Sequence, residues 1–254
     1  MLQRLLCLAL SGAVAALGAA GPAQARKDDL WTGFYVGATA GLSWSDVSVQ
    51  AHATPGAGPV VMPAADIAAV ARTGWRSKNI VDFSGGLEGG YNRQVGRWLL
   101  GVESYLGVFD VDEGRTNTFQ SLADPANTAT TQTRVDTDWL WSLRPRVGYA
   151  VGPWLLFATG GVAASDVKVA MTYADTRTPP GAEAKSLSKL KTGWVAGLGA
   201  AYAFTPRRSV KAQWLYADLG QVKGVAAAND GFATFASRAK VHGHTMRFGL
   251  DVKF

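Results

Sequence analysis

The chain has little charge, almost no cysteine and no long apolar run beyond its first residues. Of its 254 residues only 17% are Asp, Glu, Lys or Arg, against roughly 25% in soluble domains, which argues against an ordinary cytosolic enzyme. The single cysteine, Cys7, lies inside an N-terminal apolar run. Once that run is removed, no disulfide, thiolate metal site or cysteine nucleophile can form. Beyond Ala25 there is no apolar stretch of about 18 residues, the least that reads as a membrane-spanning helix. Mean hydropathy is +0.04, yet 48% of the chain is hydrophobic and 10% aromatic, which excludes disorder. The residues in surplus are Gly, at 30, and Trp, at 9.

Met1 to Ala25 carries one charge, Arg4, then an apolar run from Leu5 to Ala20 and the small-residue site Ala23-Gln24-Ala25. This is the pattern of a secretory signal peptide, with cleavage expected after Ala25 and a single domain over residues 26–254. Of 25 basic residues only Arg4 falls in the leader, leaving 24 against 19 acidic ones. The basic excess is spread along the chain without a nucleic-acid-binding motif, so no nucleic-acid partner is expected.

An exported chain without helical spans is either soluble or a β-barrel, since lipid admits only helices and closed barrels. Alternation decides between them. From Phe34 the even positions read Phe34, Val36, Ala38, Ala40, Leu42, Trp44, and the odd ones Tyr35, Gly37, Thr39, Gly41, Ser43, Ser45. This is the period of two that marks a strand. It recurs with Phe83, Leu87, Tyr91 against Ser84, Gly86, Glu88. Trp139, Trp141, Leu143, Val147 and Tyr149 stand against Asp138, Ser142, Arg144 and Arg146, and Met246, Phe248, Leu250, Val252, Phe254 against Arg247 and Asp251. One face is bulky and apolar; the other is small, with isolated charges. A soluble sandwich would bury the first and show the second to water. A membrane barrel instead turns the large residues to lipid and the small ones to a narrow lumen.

Tyr91, Tyr149, Tyr202 and Phe254 are spaced by 58, 53 and 52 residues, and a turn follows each internal one: Val95-Gly96, Gly152-Pro153, Thr205-Pro206. Four hairpin units predict an all-β, eight-stranded antiparallel up-and-down transmembrane barrel with short turns on the periplasmic side. The interval between Val47 and Arg72 is long enough to hold one more hairpin, so ten strands are the alternative. Loops are expected over roughly Asp46 to Lys78, Asp110 to Arg134, Ala170 to Lys191 and Gln221 to Lys240.

Several segments then carry a family resemblance: Trp31-Thr32-Gly33-Phe34-Tyr35-Val36-Gly37, Gly101-Val102-Glu103, Arg144-Pro145-Arg146-Val147-Gly148-Tyr149, Thr192-Gly193-Trp194, Leu215-Tyr216-Ala217-Asp218-Leu219-Gly220 and His244-Thr245-Met246-Arg247-Phe248-Gly249-Leu250. In this order they resemble the small outer-membrane β-barrel family of alphaproteobacteria, surface antigens similar to the membrane domain of OmpA and often grouped with porin family proteins. The resemblance implies a location in the cell outer membrane and no enzymatic activity. It also implies that Phe248, Leu250, Val252 and Phe254 serve as the signal to the barrel-assembly machinery. Where family members usually carry Glu, this chain has Ala201 and Gln213, and no cell-wall tether is expected.

Glu88 and Glu103 lie equally far from the middle of the turn between Gln94 and Arg97, which would place them opposite each other, facing inward. Such a pair suits acid and base catalysis or an internal salt-bridge network with Arg144, Arg146, Lys211 and Arg247. The network is the reading adopted, because eight-stranded barrels are filled by their own side chains. The expected role is therefore a plugged, monomeric barrel serving envelope integrity and surface exposure, with a narrow porin as the alternative. A rim of Lys78, Arg134, Lys191 and Lys240 is expected to meet outer-membrane lipid and the phosphates of lipopolysaccharide. His242 and His244, with Ser237 nearby and no acid at matching parity, form a weak case for a lipid A-modifying enzyme. His52, placed in the first loop, completes an equally weak case for loop-mediated haem binding or adhesion. No cofactor or metal is expected.

Overall fold

The computed structural model describes residues 30–58, 61–122, 124–176, 182–227 and 233–254. The expected leader, residues 1–25, lies outside them. Eight strands form: β1 (Gly33–Pro55), β2 (Trp75–Val95), β3 (Trp98–Gln120), β4 (Thr128–Val151), β5 (Trp154–Asp175), β6 (Ala182–Thr205), β7 (Arg208–Ala227) and β8 (Ala233–Lys253). Each pairs antiparallel with its chain neighbours. The ring closes where β1 meets β8, from Tyr35↔Lys253 to Pro55↔Ala233. The interval that could have hidden another hairpin contains instead the end of β1 and a helix, α1 (Ala64–Ala71).

Near the periplasmic end the lipid-facing positions are the expected ones. Phe34, Leu87 and Phe248 are exposed as the alternation predicts, and Trp98, Trp154 and Leu198 share the outer face. Adjacent strands are stapled there by cross-strand aromatic pairs, Phe34–Tyr91 at 4.8 Å, Trp98–Tyr149 at 5.3 Å and Trp154–Tyr202 at 4.9 Å between ring centroids. They mark the inner aromatic girdle, where amphipathic rings favour the membrane border.

The four expected loops are mostly strand. A membrane crossing needs about 9–11 residues, whereas these strands have 20 to 24, so the barrel projects well beyond the membrane. Its pattern there is the reverse of that below. In β1, Val47, Val49, Ala51 and Ala53 point inward and Asp46, Ser48, Gln50 and His52 outward. The pleat runs on, but apolar side chains leave the lipid face and enter the lumen, because the outer surface now meets water. Register shifts fall at this border between Ser45 and Val47, Val108 and Val111, Thr137 and Trp141, and Asp218 and Gln221. Bulges of this kind re-aim side chains. The shift in β4 turns Asp138 outward, where it accepts a hydrogen bond from Lys168 at 2.5 Å. The expected inward Asp138 is thereby corrected.

Helix α1 covers the outer mouth. Val70 and the preceding Met62 are buried against Ala51, Ala129, Tyr173 and Phe235. Asp66 accepts hydrogen bonds from Ser121 Oγ and the Leu122 amide, both at 2.7 Å, which ties the helix to the β3–β4 connection. Asp66→Ala would leave the part-buried Leu122 amide without its acceptor, at a cost of about 1 kcal/mol. Faster protease cleavage between residues 61 and 75, with the barrel still resistant to SDS at room temperature, is the expected outcome. Unchanged cleavage would show that Asp66 does not hold the lid.

Candidate functional site

Toward the periplasmic end of the lumen, inward positions of six strands converge on one charged layer. Glu103 of β3 is its centre. It accepts hydrogen bonds from Arg144 Nη2 at 2.5 Å, Tyr35 Oη at 2.7 Å and Lys211 Nζ at 2.9 Å, with Arg146 Nη1 at 3.4 Å. Lys211 Nζ also pairs with Glu88 and stands 3.5 Å from Asp251 Oδ2. Glu103 and Arg144 are 1% and 0% exposed. Arg146 lies over the Phe157 ring at 3.8 Å and donates to Tyr35 Oη at 3.0 Å.

The structure thus brings Glu88, Glu103, Arg144, Arg146 and Lys211 together, in a geometry that differs from expectation in two respects. Glu88 and Glu103 are not opposite: Glu88 pairs with Tyr105 and Glu103 with Gly90. A two-residue turn, Gly96-Arg97, with Gly96 at φ 62°, centres the hairpin beyond the assumed midpoint. The carboxylates are diagonal neighbours with Lys211 between them, not an acid and base pair. Arg247 makes no ion pair among the described residues. It stacks on Tyr105 at 3.9 Å and donates from Nε to Ser84 Oγ at 3.1 Å.

Sequence reasoning missed Tyr35, Tyr105 and Asp251. Their inward parity was legible, but their partners come from strands distant in the chain.

Apolar layers bound the charged one. On the periplasmic side Trp31 inserts among Leu99, Leu155, Phe157 and Ala201. Its amide donates to Gln94 Oε1 at 3.1 Å, and Lys253 Nζ donates to Leu30 O at 2.6 Å. On the outer side stand Val47, Phe109, Val135, Leu140, Val167, Leu215 and Val241, with α1 above them.

The outer rim is mixed in sign. Arg134 pairs with Asp112 and approaches Asp136 at 3.8 Å, on a part of β4 well beyond Trp141. Lys240 Nζ lies 3.5 Å from Asp218. Lys191 is half-buried opposite Ser165. Lys78 belongs to β2, and its side chain is outside the described residues.

His242 and His244 face outward on β8, but the expected lack of an acid is corrected. His242 is opposite Asp46, with Nε2 to Oδ2 at 3.6 Å. Ser237 is buried and points inward, so it is not on the histidine face. His52 lies in β1, not in a loop. Among the described residues no group of three or more His, Cys, Asp or Glu is placed to hold a metal. On β8, Phe248, Leu250 and Val252 face outward and are exposed, and Phe254, just past its end, is exposed too.

A closed ring of strands with an apolar outer belt, an aromatic girdle and a side-chain-filled lumen defines an integral β-barrel of the bacterial outer membrane. The chain belongs to the outer membrane protein beta-barrel domain family, whose model matches residues 11–254. It is 30% identical over 177 residues to the 31 kDa outer-membrane immunogenic protein of Brucella melitensis, a match covering 68% of this chain and 66% of that protein. It is 28% identical over 174 residues to the 22 kDa outer membrane protein of Rhizobium leguminosarum bv. viciae, with the same coverage. The chain therefore spans about two thirds of the length of these relatives. Among solved structures, outer membrane protein OprG of Pseudomonas aeruginosa matches 88% of this chain and 96% of its own at 12% identity, with a TM-score of 0.46.

Removing Glu103 tests the charged layer. Glu103→Gln leaves Arg144, Arg146 and Lys211 without their common carboxylate, and unpairing a buried ion typically costs about 3–5 kcal/mol. The urea midpoint in lipid vesicles should fall markedly. Arg247→Gln, which breaks no ion pair, should lower it far less. Equal losses for the two variants would contradict a network centred on Glu103.

Proposed function

We propose that this protein is a non-enzymatic, monomeric scaffold of the outer membrane whose lumen is plugged, and that it serves envelope integrity and surface exposure. The supporting observation is the sequence of fillings along one axis. Trp31, the Glu103-centred charge layer, the apolar layer around Phe109 and Val135, and the lid formed by α1 follow one another through the barrel. A charge layer alone could carry ions through by hydration. An apolar layer on its outer side opposes that, because charge transfer into it is heavily penalised. Surface exposure follows from the projecting half of the barrel, and an immunogenic relative among surface proteins fits it.

Lipid and lipopolysaccharide are the proposed partners of the outer rim, through Lys78, Lys191 and Lys240. Arg134 is held by Asp112, and Lys191 shares the inward side of its strand pair with buried Ser165, so these two are the less available of the expected contacts. Outward exposure of Phe248, Leu250, Val252 and Phe254 suits capture of β8 by the barrel-assembly machinery before the ring closes. Against a lipid A-modifying activity stands the inward turn of Ser237.

Planar-bilayer recording of pure protein separates scaffold from narrow porin. The expected result is no steady conductance, and sustained single-channel steps from wild-type protein would favour the porin. The rim has its own test: Lys78, Lys191 and Lys240 replaced together by Gln should reduce lipopolysaccharide co-purification, and undiminished co-purification would remove these lysines from the interface.

A further inference from the structure

We propose that the periplasmic mouth of the barrel is a binding site for a single carboxylate group. A cavity of about 30 Å³ opens there, lined by Trp31, Asn92, Arg146, Arg207, Arg208 and Asp251 among others. A void of this size exceeds the roughly 10–15 Å³ needed by one water.

The orphaned donors select the ligand. Arg146 is 4% exposed, and its Nη1 is committed to Glu103 and Tyr35. Its Nε and Nη2 have no hydrogen-bond partner among the described residues, nor has Trp31 Nε1. Nε and Nη2 form one edge of the guanidinium, the fork that binds a carboxylate through two parallel hydrogen bonds. Stacking on Phe157 at 3.8 Å holds the plane of that fork. Orphaned acceptors are present too, Asn92 Oδ1 and Asp251 Oδ1. A flip of the Asn92 amide puts its Nδ2 donor where the oxygen stands, and the other Asp251 oxygen, Oδ2, is held by Lys211 at 3.5 Å.

Charge favours an anion over a cation. The buried layer holds four cations, Arg144, Arg146, Lys211 and Arg247, against three carboxylates, Glu88, Glu103 and Asp251. The cavity rim adds Arg207 and Arg208, both exposed in and beside the β6–β7 turn. A carboxylate from the periplasm meets rising positive potential as it enters. It could be a free small acid or the C-terminus of a short peptide.

The test follows the Trp31 indole N–H by NMR in the full mature chain, folded in a zwitterionic detergent, with the resonance assigned from Trp31→Phe. Acetate, alanyl-alanine and neutral acetamide are titrated at constant ionic strength. Saturable movement with acetate and none with acetamide is expected, weakened several-fold in the rim variant Arg207→Gln/Arg208→Gln and lost in Arg146→Lys. The rim variant leaves the lumen intact, so it reports even where the Arg146 variant fails to fold. Saturation by alanyl-alanine as well identifies a peptide terminus as an admissible source, whereas saturation by acetate alone restricts the site to small acids. The proposal is overturned by an indole unmoved by acetate, by equal movement with acetamide, or by unchanged affinity in the rim variant.

Discussion

The constraint on which everything else depends is closure of the sheet in a medium that cannot hydrogen-bond its edges. An unpaired strand edge in lipid exposes a row of amides and carbonyls, each costing several kcal/mol. The pairing of β1 with β8 over its whole length removes that edge. With eight strands, closure fixes a bore only wide enough for side chains, so each inward residue must pack, pair or be very small. Gly107 shows how tight the bore is: a Cβ there would stand 2.0 Å from Tyr105 Oη and 2.4 Å from Gly85 O. The same confinement drives charges into one layer. An isolated buried charge would be prohibitive, whereas Glu103 meets three cations within a few ångströms.

How far the fold was legible depended on which solvent each segment meets. From Phe34 to Trp44 the apolar face is outward, and a search for bulky residues against lipid finds the strand. From Val47 to Ala53 the strand continues with apolar residues inward, and the same search registers only a polar loop. Period two was there throughout; what changed was its phase, because water replaced lipid outside. In β4 the bulge near Asp138 shifts the phase once more, which no fixed alternation can follow. The site was legible to a similar depth. Inward parity pointed to Glu88, Glu103, Arg144, Arg146 and Lys211, but partnership depends on shear between strands. A one-residue difference in where the β2–β3 turn is centred moves each partner by two residues, and that was enough to misplace Glu88 against Glu103.

Segments that lie outside the strand pattern pack into both ends of the bore. Trp31 precedes β1 and would be expected at the membrane border, where amphipathic rings concentrate. It instead fills the space left by Leu99 and Ala201, since a small residue at Ala201 leaves room that a larger side chain would occupy. At the other end α1 contributes Val70 to the top of an apolar column, and its only acidic side chain, Asp66, is turned to the β3–β4 connection. Sequence reasoning placed α1 in a loop and Trp31 in a family-like opening segment, with no inward role for either, because periodicity describes an element's own faces and not the hole it covers.

The two ends are unequal in chemistry, and this gives the charged layer a direction. On its outer side the layer meets Phe109, Val135 and Leu140, which offer no polar atom and hold the local dielectric low. On its periplasmic side it reaches, through Arg146, a small cavity open toward Arg207 and Arg208. One buried cation in four lacks a carboxylate of its own, and Arg247, with a tyrosine face and a serine hydroxyl for company, is the one without an ion pair among the described residues. The apolar layer cannot screen that excess, so compensation must come from below. The asymmetry therefore makes the periplasm the side from which the interior of this barrel is electrostatically addressed, even if no ion crosses it.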